Sequence, residues 1–415
     1  MTSTDTSAPD GTSRPRPDKH DFDTLTGNSW SVHGGNHADE TTGAIRTPIV
    51  MANSYRLPGD PSDIDAPGYQ GLVYTREHGA NQRGLEEKLA KLDHGEAAAV
   101  FGTGMAALHA AFFTVLNPGD HAIVSNVVYM RVAGLFTDVF PNKLGIEVDF
   151  VDITDLDSVR AAVRPNTKLV HTEVIANPDL RVADVPALAA IAHDAGALLT
   201  IDSTFTPPPM MRPLDHGADL VIHSLTKYYN GHGDAMGGVV IGARDLVEET
   251  RTGPMWHAGG AISPFNAWLI MRGSTTLPLR LERQSQNAQA VATFLEADPR
   301  VVHVSYPGLP SHDQRDAAVR QLDGGFGGVV SFAIGGTHAD RLRFVNDLRV
   351  ITSAVSLGHD ETLIAYEEYP EGPAKAFAQP FRDHGLVRLA IGLEAQEDLI
   401  ADLDASLTTA YGPAS

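Results

Sequence analysis

The sequence predicts an α/β protein with a mostly parallel central sheet, followed by a smaller C-terminal α+β domain. The first observation is a series of short β-rich runs that are apolar throughout, as strands covered on both faces are. The second is that helix-like segments such as VPALAAIAHDAG separate these runs. The third is a change after Ser263, where a long helical run precedes further β-rich runs and a final amphipathic helix. The early runs are HAIVS (121–125), IEVDFVD (146–152), KLVHTE (168–173), ALLTID (197–202), DLVIHS (219–224) and GGVVIG (237–242).

The chain divides into four predicted regions. Residues 1–28 are mainly Ser, Thr, Pro and Asp, and they bury too little apolar surface to offset chain entropy, so we expect a disordered leader. Residues 29–71 read as an extended N-terminal arm that docks on a neighbouring subunit. A large domain then spans 72–265, and the C-terminal domain spans 266–415.

Composition excludes several classes of protein. The 31 Lys and Arg residues against 52 Asp and Glu give a net charge of −21, which disfavours nucleic acid as a partner. The absence of cysteine excludes disulfides, thiolate metal sites and thiol nucleophiles. We find no apolar run long enough for a membrane helix and no signal segment, so the expected location is cytoplasmic.

Two neighbouring predicted strands end in polar residues, where open α/β sheets bind ligands. One strand runs into Asp202, and the next runs into a segment with Ser224, Thr226 and Lys227. An Asp and a Lys at such positions, taken separately, are more often a plain ion pair. Their neighbours in the sequence favour a binding site instead.

A glycine-rich segment upstream supplies an anion cradle. Gly104 and Met105 open an apolar helix, so their backbone amides would face a phosphate at its N-terminus. A tight turn is the plainer interpretation of this segment alone. Together with a Lys for a Schiff base, an Asp for a pyridine nitrogen and flanking hydroxyls, it completes the set that pyridoxal 5'-phosphate requires.

The segment HSLTKYYNGHGDAMGG resembles the lysine signature of the Cys/Met metabolism family of fold-type-I pyridoxal-phosphate enzymes. The resemblance extends from WSVHGG (30–35) to RLAIGLE (388–394) and includes FGTGMAA, ANPDLRVADV and IDSTF. It implies the aspartate-aminotransferase-like fold and a PLP-dependent lyase or transferase of amino-acid metabolism. It also implies a homodimer that completes the active site, commonly paired into a homotetramer.

The resemblance implies a role for each matching residue around the cofactor. Lys227 would bind the cofactor covalently and carry protons. Tyr129 would stack on the ring and take part in this proton transfer as the second catalytic residue. The other implied cofactor contacts are Asp202 on the pyridine nitrogen, Ser224, Thr226, Gly104 and Met105 on the phosphate, Asn177 beside the phenolic oxygen, and Tyr74 and Arg76 reaching a partner subunit's phosphate.

The resemblance also implies a substrate clamp, in which Arg388 binds the α-carboxylate of an amino acid and Ser356 lies in the loop that assists it. The plainer interpretations are a surface ion pair for Arg388, a packing aromatic for Tyr129 and a turn residue for Asn177. His232 and Asp234 lack a third ligand nearby in the sequence, so we expect no metal site.

Positions around the substrate depart from the family pattern. Met130 and Arg131 replace small residues after the ring-stacking tyrosine, and Gly358-His359-Asp360 departs from the usual loop. Arg131 could bind an anionic leaving group or a second carboxylate. We hypothesise γ-elimination of a leaving group other than sulfur, such as chloride, giving an unsaturated amino acid in secondary metabolism.

Two alternatives remain open at this point. Neutral drift in these loops would leave a housekeeping methionine or cystathionine γ-lyase, or a γ-synthase acting on an O-acylhomoserine. A protein of another class, an inert binding protein on the same fold, is disfavoured because the cofactor residues are retained together. A nicotinamide dehydrogenase is set aside because the G-x-G-x-x-G fingerprint is absent between strand and helix.

Overall fold

The structure of the chain, a computed structural model, describes residues 25–65, 71–368 and 375–414. Two β-sheets organise this part of the chain, one of seven strands and one of five. The leader predicted for residues 1–28 lies outside the described residues as far as residue 24.

The seven-stranded sheet confirms the predicted mostly parallel architecture. Its strands follow the order β1-β7-β6-β5-β4-β2-β3, and every pairing from β6 to β3 is parallel. Strand β7 pairs antiparallel with both β1 and β6, so β1 points in the same direction as the parallel strands. The strands are β1 (Ala97–Phe101), β2 (His121–Ser125), β3 (Glu147–Val151), β4 (Thr167–Glu173), β5 (Leu198–Asp202), β6 (Leu220–His223) and β7 (Gly238–Gly242).

Helices cover both faces of this sheet, which explains the unbroken apolar runs of its central strands. Val221 and Ile222, neighbours on β6, point to opposite faces, and both are fully buried. The helices before the second sheet are α1 (Gly27–His33), α2 (Ala80–Leu92), α3 (Gly104–Val115), α4 (Met130–Gly134), α5 (Leu156–Ala161), α6 (Val185–Asp194), α7 (Arg244–Thr250), α8 (Trp256–Ala258), α9 (Pro264–Gly273) and α10 (Leu277–Ala297).

The C-terminal part forms the predicted mixture of strands and helices. Its sheet has the order β10-β11-β12-β9-β8, antiparallel except where β10 meets β11. The strands are β8 (Val301–Ser305), β9 (Val329–Ile334), β10 (Thr352–Ser353), β11 (Leu363–Glu367) and β12 (Leu386–Ala390). The remaining helices are α11 (Arg315–Gln321), α12 (His338–Asp347), α13 (Gln379–His384) and α14 (Gln396–Tyr411). The exact domain boundaries stay predictions.

The predicted extended arm begins with a helix. Helix α1 forms because its apolar face packs on α2: Trp30 is only 5% exposed, and its Nε1 donates to the carbonyl oxygen of Lys88 at 2.9 Å. Beyond α1, the apolar side chains of Ile45 and Met51 are 80% and 72% exposed. Such exposure would suit an arm that packs on a neighbouring chain. Among the described residues, no helix combines the length and apolar character needed to span a membrane.

The strand directions decide where a ligand can bind. Because β1, β2, β4, β5 and β6 all point the same way, their carboxyl ends meet at one edge of the sheet. The segments that follow these strands contain most of the residues predicted for the site.

Candidate active site

Lys227 lies in the turn after β6 and reaches toward the second sheet. Its Nζ donates to the Oγ of Ser356 at 2.7 Å. Burial, together with the positive charge of Arg388, lowers the pKa of Lys227 to about 8. The neutral amine, the form that attacks an aldehyde or removes a proton, is therefore far more populated near neutral pH than in an ordinary lysine.

Asp202 ends β5, and the residue is 9% exposed. Its Oδ1 accepts a hydrogen bond from the backbone N–H of Thr204 at 2.9 Å. Burial raises the pKa of Asp202 above its ordinary value. A buried carboxylate at this edge is well suited to a cationic heterocycle, since the opposite charge stabilises both groups.

Thr204 connects the ends of β5 and β6, although the sequence analysis gave it no role. Its Oγ1 accepts a hydrogen bond from the backbone N–H of Ser224 at 2.8 Å. This bond fixes Ser224 beside Asp202 at the sheet edge. The only sequence signal was a hydroxyl two residues after a strand-end carboxylate.

The start of α3 has the close packing expected of a phosphate cradle. Thr103 caps the helix, and its Oγ1 accepts a hydrogen bond from the N–H of Ala106 at 3.0 Å. A Cβ added to Gly104 would lie 2.8 Å from the Cβ of Ser224, so the Ser224 side chain sits directly against the helix N-terminus. The first-turn amides of Gly104 and Met105 have no partner within the helix and are available to an anion.

Thr226 holds the loop that follows Lys227. Its Oγ1 accepts a hydrogen bond from the backbone N–H of Gly237 at 3.2 Å. The structure thus brings Ser224, Thr226 and the helix start to the same edge as Asp202 and Lys227.

Glu173, at the end of β4, is a site residue that the sequence analysis did not identify. It pairs with Asp202 across the parallel strands, and its Oε1 and Oε2 accept hydrogen bonds from the backbone N–H groups of Tyr129 and Asn177 at 2.8 and 2.6 Å. Burial and the nearby negative charge of Asp202 raise the pKa of Glu173 to about 8. The available signal was its position, because it ends a buried strand next to the one that ends in Asp202.

Arg388 links the two sheets from its position on β12. One guanidinium nitrogen donates to Oδ1 of Asn177 at 2.7 Å, and another lies 3.3 Å from the carbonyl oxygen of Ser356. The side chain of Asn177, expected beside the cofactor ring, is thus bonded to the predicted substrate arginine. An arginine anchored by these two hydrogen bonds can still direct guanidinium N–H groups toward a carboxylate.

The loop before β11 holds Ser356 in a conformation that is rare for a residue with a side chain, at φ 103°. Its Oγ lies 3.1 Å from Nε2 of His359 in addition to its bond with Lys227. In the sequence His359 is only a departure from the family pattern. The fold connects it to Lys227 through the hydroxyl of Ser356.

Three predicted residues are not bonded to this cluster in the described part of the chain. Tyr74 is 39% exposed, and the Arg76 guanidinium lies 5.2 Å from its ring and 3.6 Å from a carboxylate oxygen of Glu77. Arg131 is exposed on α4, two residues beyond Tyr129, which is 37% exposed.

The donor set fits pyridoxal 5'-phosphate. A buried carboxylate, a lysine with a lowered pKa and a helix start packed against Ser224 match the three chemical parts of that cofactor: a pyridine nitrogen, an aldehyde and a phosphate. We find no cluster of three or more His, Asp or Glu side chains suited to a metal ion in the described ranges.

Comparison with known proteins agrees with a site for pyridoxal 5'-phosphate. The sequence profile of a family described as Cys/Met metabolism PLP-dependent enzyme matches residues 28–408. The chain is 56% identical over 399 residues to a canavanine gamma-lyase of Rhizobium leguminosarum bv. trifolii, covering 96% of this chain and 100% of the relative. A canavanine gamma-lyase of Pseudomonas canavaninivorans is 53% identical over 398 residues, covering 95% and 100%.

More distant similarities include a cystathionine gamma-lyase and a solved structure of MetB. A cystathionine gamma-lyase of Bacillus subtilis is 38% identical over 380 residues, covering 91% of this chain and 97% of the relative. The crystal structure of MetB from Corynebacterium glutamicum superposes with a TM-score of 0.84 at 34% identity, covering 93% of this chain and 99% of that one.

Proposed function

Since this chain belongs to the Cys/Met metabolism family of PLP-dependent enzymes, we propose that it is a γ-lyase whose substrate is canavanine. It is a PLP-dependent enzyme of amino-acid metabolism that performs γ-elimination with a leaving group other than sulfur. The proposal concerns the identity of that substrate. The inert binding protein considered in the sequence analysis is not supported.

The similarity to two canavanine gamma-lyases carries the proposal. Both share more than half of their residues with this chain over their full length, at 56% and 53% identity, whereas a cystathionine gamma-lyase and a methionine gamma-lyase share 38%. The departures from the family pattern at Met130, Arg131 and His359 follow Tyr129 or Ser356 in the sequence, where we expect the substrate to bind.

Canavanine supplies a γ-leaving group bound through oxygen. Its elimination breaks the bond between Cγ and oxygen, and the oxygen leaves with the electron pair and takes up a proton. In canavanine a guanidinooxy group therefore takes the place of chloride, the leaving group given above as an example. A guanidinooxy group is basic, so the cation of Arg131 would not attract it, and any role for Arg131 is more compatible with binding a carboxylate.

The bound cofactor supplies an electron sink that stabilises negative charge at the substrate's α carbon. Arg388 binds the α-carboxylate through its fork and orients the α C–H bond toward Lys227. The neutral amine of Lys227 accepts the α-proton and later a β-proton, and Tyr129 assists these transfers. One of the two protons goes to the leaving oxygen. Asp202 keeps the ring nitrogen protonated.

We further propose that the active unit is at least a dimer, with Tyr74 and Arg76 completing the site of the partner subunit. The contacts of Arg76 with Tyr74 and Glu77 rather than with the Lys227 cluster support this arrangement, as do the exposed apolar residues of the arm. A tetramer and a cytoplasmic location remain predictions.

A substrate comparison tests the function. Purified full-length enzyme is incubated separately with canavanine, methionine, cystathionine and O-succinylhomoserine, and products are identified by mass spectrometry. We expect kcat/KM for canavanine to exceed that of each sulfur or O-acyl substrate by about tenfold or more. Lys227→Ala is the inactive control. Faster turnover of methionine or cystathionine would overturn the proposal.

L-Arginine provides a matched control ligand, because it has a methylene group where canavanine has the γ-bound oxygen. We expect arginine to inhibit competitively without elimination, since its Cγ carries no leaving group. An absence of any arginine binding, measured by the visible spectrum of the bound cofactor, would argue against recognition of the guanidino end.

A further inference from the structure

A continuous hydrogen-bonded path runs from the catalytic lysine to a histidine. Nζ of Lys227 lies 2.7 Å from Oγ of Ser356, and that oxygen lies 3.1 Å from Nε2 of His359. A serine hydroxyl can accept one hydrogen bond while donating another. The three groups therefore form an arrangement through which a proton can move in two short steps.

The backbone around His359 is held firmly. Its carbonyl oxygen accepts a hydrogen bond from Nε2 of Gln284, a fully buried residue of α10, at 2.7 Å. A Cβ added to Gly233 would lie 3.3 Å from two atoms of the His359 ring, so the ring packs against the backbone of the loop that follows Lys227. The His359 side chain is only partly buried, and it can reach solvent.

The charges around His359 favour the neutral ring. Burial and the positive charge of Lys227 lower the pKa of His359, whereas the carboxylates of Asp360 and Glu361 oppose that shift. The loop packed against the ring also carries Asp234, whose carboxylate accepts a hydrogen bond from Asn230 at 2.9 Å. A neutral ring can accept the serine proton at Nε2.

We propose that His359 acts through Ser356 as a positioning residue that exchanges the proton of Lys227 with solvent. The step begins after Lys227 has taken the α-proton, when the C–H bond is broken and the amine has become ammonium. The ammonium gives a proton to Ser356 Oγ as the serine's own proton moves to Nε2. His359 then releases its Nδ1 proton to water, and the amine of Lys227 is neutral again.

The inference deepens the proposed function and rests on Lys227 as the proton carrier, but not on canavanine as the substrate. A suitable probe is therefore L-norvaline, an amino acid without a γ-leaving group. Its α-hydrogen can be removed and returned by the holoenzyme without elimination. In heavy water, exchange of that hydrogen for deuterium reports how often Lys227 trades its proton with solvent before returning it.

His359→Gln is the informative variant, because a glutamine side chain can bond to Ser356 but cannot carry a proton. We expect it to slow norvaline exchange, measured by proton NMR, about tenfold or more. Exchange at the wild-type rate would overturn the proposal. His193→Gln is the matched control, since His193 pairs with Asp219 at the opposite edge of the sheet, and it should exchange as the wild type does.

Ser356→Gly provides a second variant should the first fold poorly. Glycine accommodates the positive φ at this position and lacks the hydroxyl. We expect the same slow exchange, with no further loss in the double variant, because both substitutions interrupt one path. Additive losses in the double variant would count against a shared path.

A measurement on the cofactor-free full-length chain separates coupling from activity. Labelling of His359 by diethyl pyrocarbonate is followed against pH by mass spectrometry in the wild type and in Lys227→Gln. Because the positive charge of Lys227 lowers the pKa of His359, removing it should raise the half-labelling pH of His359. An unchanged midpoint would show that the two groups do not interact.

Discussion

The amine of Lys227 shows how one residue's chemistry follows from its surroundings. Burial and the charge of Arg388 lower its pKa to about 8, so raising the pH from about 7 to about 9 converts most of the ammonium to the neutral nucleophile. We expect covalent uptake of pyridoxal phosphate by the cofactor-free chain to accelerate over this range, to reach half its maximum near pH 8 and to level off above about pH 9. The visible absorbance of the bound cofactor measures the rate.

Lys227→Arg serves as the control for that experiment, because a guanidinium does not deprotonate in this range and should bind no cofactor that borohydride can fix. An uptake rate that stays constant between about pH 6 and 9 would contradict the lowered pKa.

Glu173 supports the site through two backbone bonds. Both carboxylate oxygens accept N–H groups, one from Tyr129 and one from Asn177. In Glu173→Gln, the amide NH2 would face one of these donors, which leaves a buried N–H unsatisfied at a cost of about 1–3 kcal/mol. We expect a lower free energy of unfolding in urea. We also expect weaker substrate binding, measured as a raised KM.

A surface substitution is the matched control for Glu173. Glu282→Gln changes an exposed glutamate of α10, and we expect its free energy of unfolding in urea to stay within about 0.5 kcal/mol of the wild type. An equal effect of the two substitutions would show that the pair of backbone bonds contributes little.

At the scale of elements, the contact between α3 and the turn after β6 shapes the predicted phosphate cradle. In Gly104→Ala the new Cβ would come within 2.8 Å of the Ser224 Cβ, so the helix start or the serine must shift. Overpacking of this kind costs about 1–3 kcal/mol. We expect the affinity for pyridoxal phosphate, measured by titration of the cofactor-free protein, to fall about tenfold.

Gly134→Ala tests whether that loss is specific to the cradle. A Cβ at Gly134 meets no atom within 4 Å, and alanine favours the helix there by about 1 kcal/mol. Cofactor affinity should be unchanged in this variant. If Gly104→Ala binds the cofactor as tightly as Gly134→Ala does, the helix start does not hold the phosphate.

The strands illustrate what pattern reasoning captures at this scale. Six of the seven strands in the large sheet match β-rich runs read from the sequence, and all of these except the partly exposed edge strand β3 are largely buried on both faces. Strand β1 was not predicted, since AAAVF is too rich in alanine to resemble a strand. The antiparallel direction of β7 also has no local signal, because its burial is the same in either direction.

At the scale of the whole molecule, subunit mixing tests the shared site. Arg76→Ala and Lys227→Ala each remove one part of every site in a homodimer. In a mixed pair, one site combines the intact Lys227 of one subunit with the intact Arg76 of the other. We expect equal mixing of the two inactive variants, after denaturation and refolding, to restore about a quarter of wild-type activity.

The same mixture prepared without refolding is the control, because the subunits then stay in their original pairs. If the refolded mixture is no more active than either variant alone, Tyr74 and Arg76 do not complete a neighbouring site.

The sequence by itself determined the fold class, the family and the cofactor, because those depend on local patterns. Asp202 ends a strand, Lys227 lies in the turn that follows the next strand, and Gly104 opens a helix, and such positions can be read from a short stretch of chain. Departures in the substrate loops also indicated a leaving group other than sulfur, in agreement with the similarity to canavanine gamma-lyases.

Only the tertiary structure decided which side chains meet. Arg388 bonds to Asn177 across 211 residues, and Lys227 bonds to Ser356 across 129, with His359 beyond it. Glu173 likewise gains its role by lying next to Asp202 on a parallel neighbour. Such contacts depend on how two sheets and their connecting loops pack together, and hydrophobic periodicity carries information about only one element at a time.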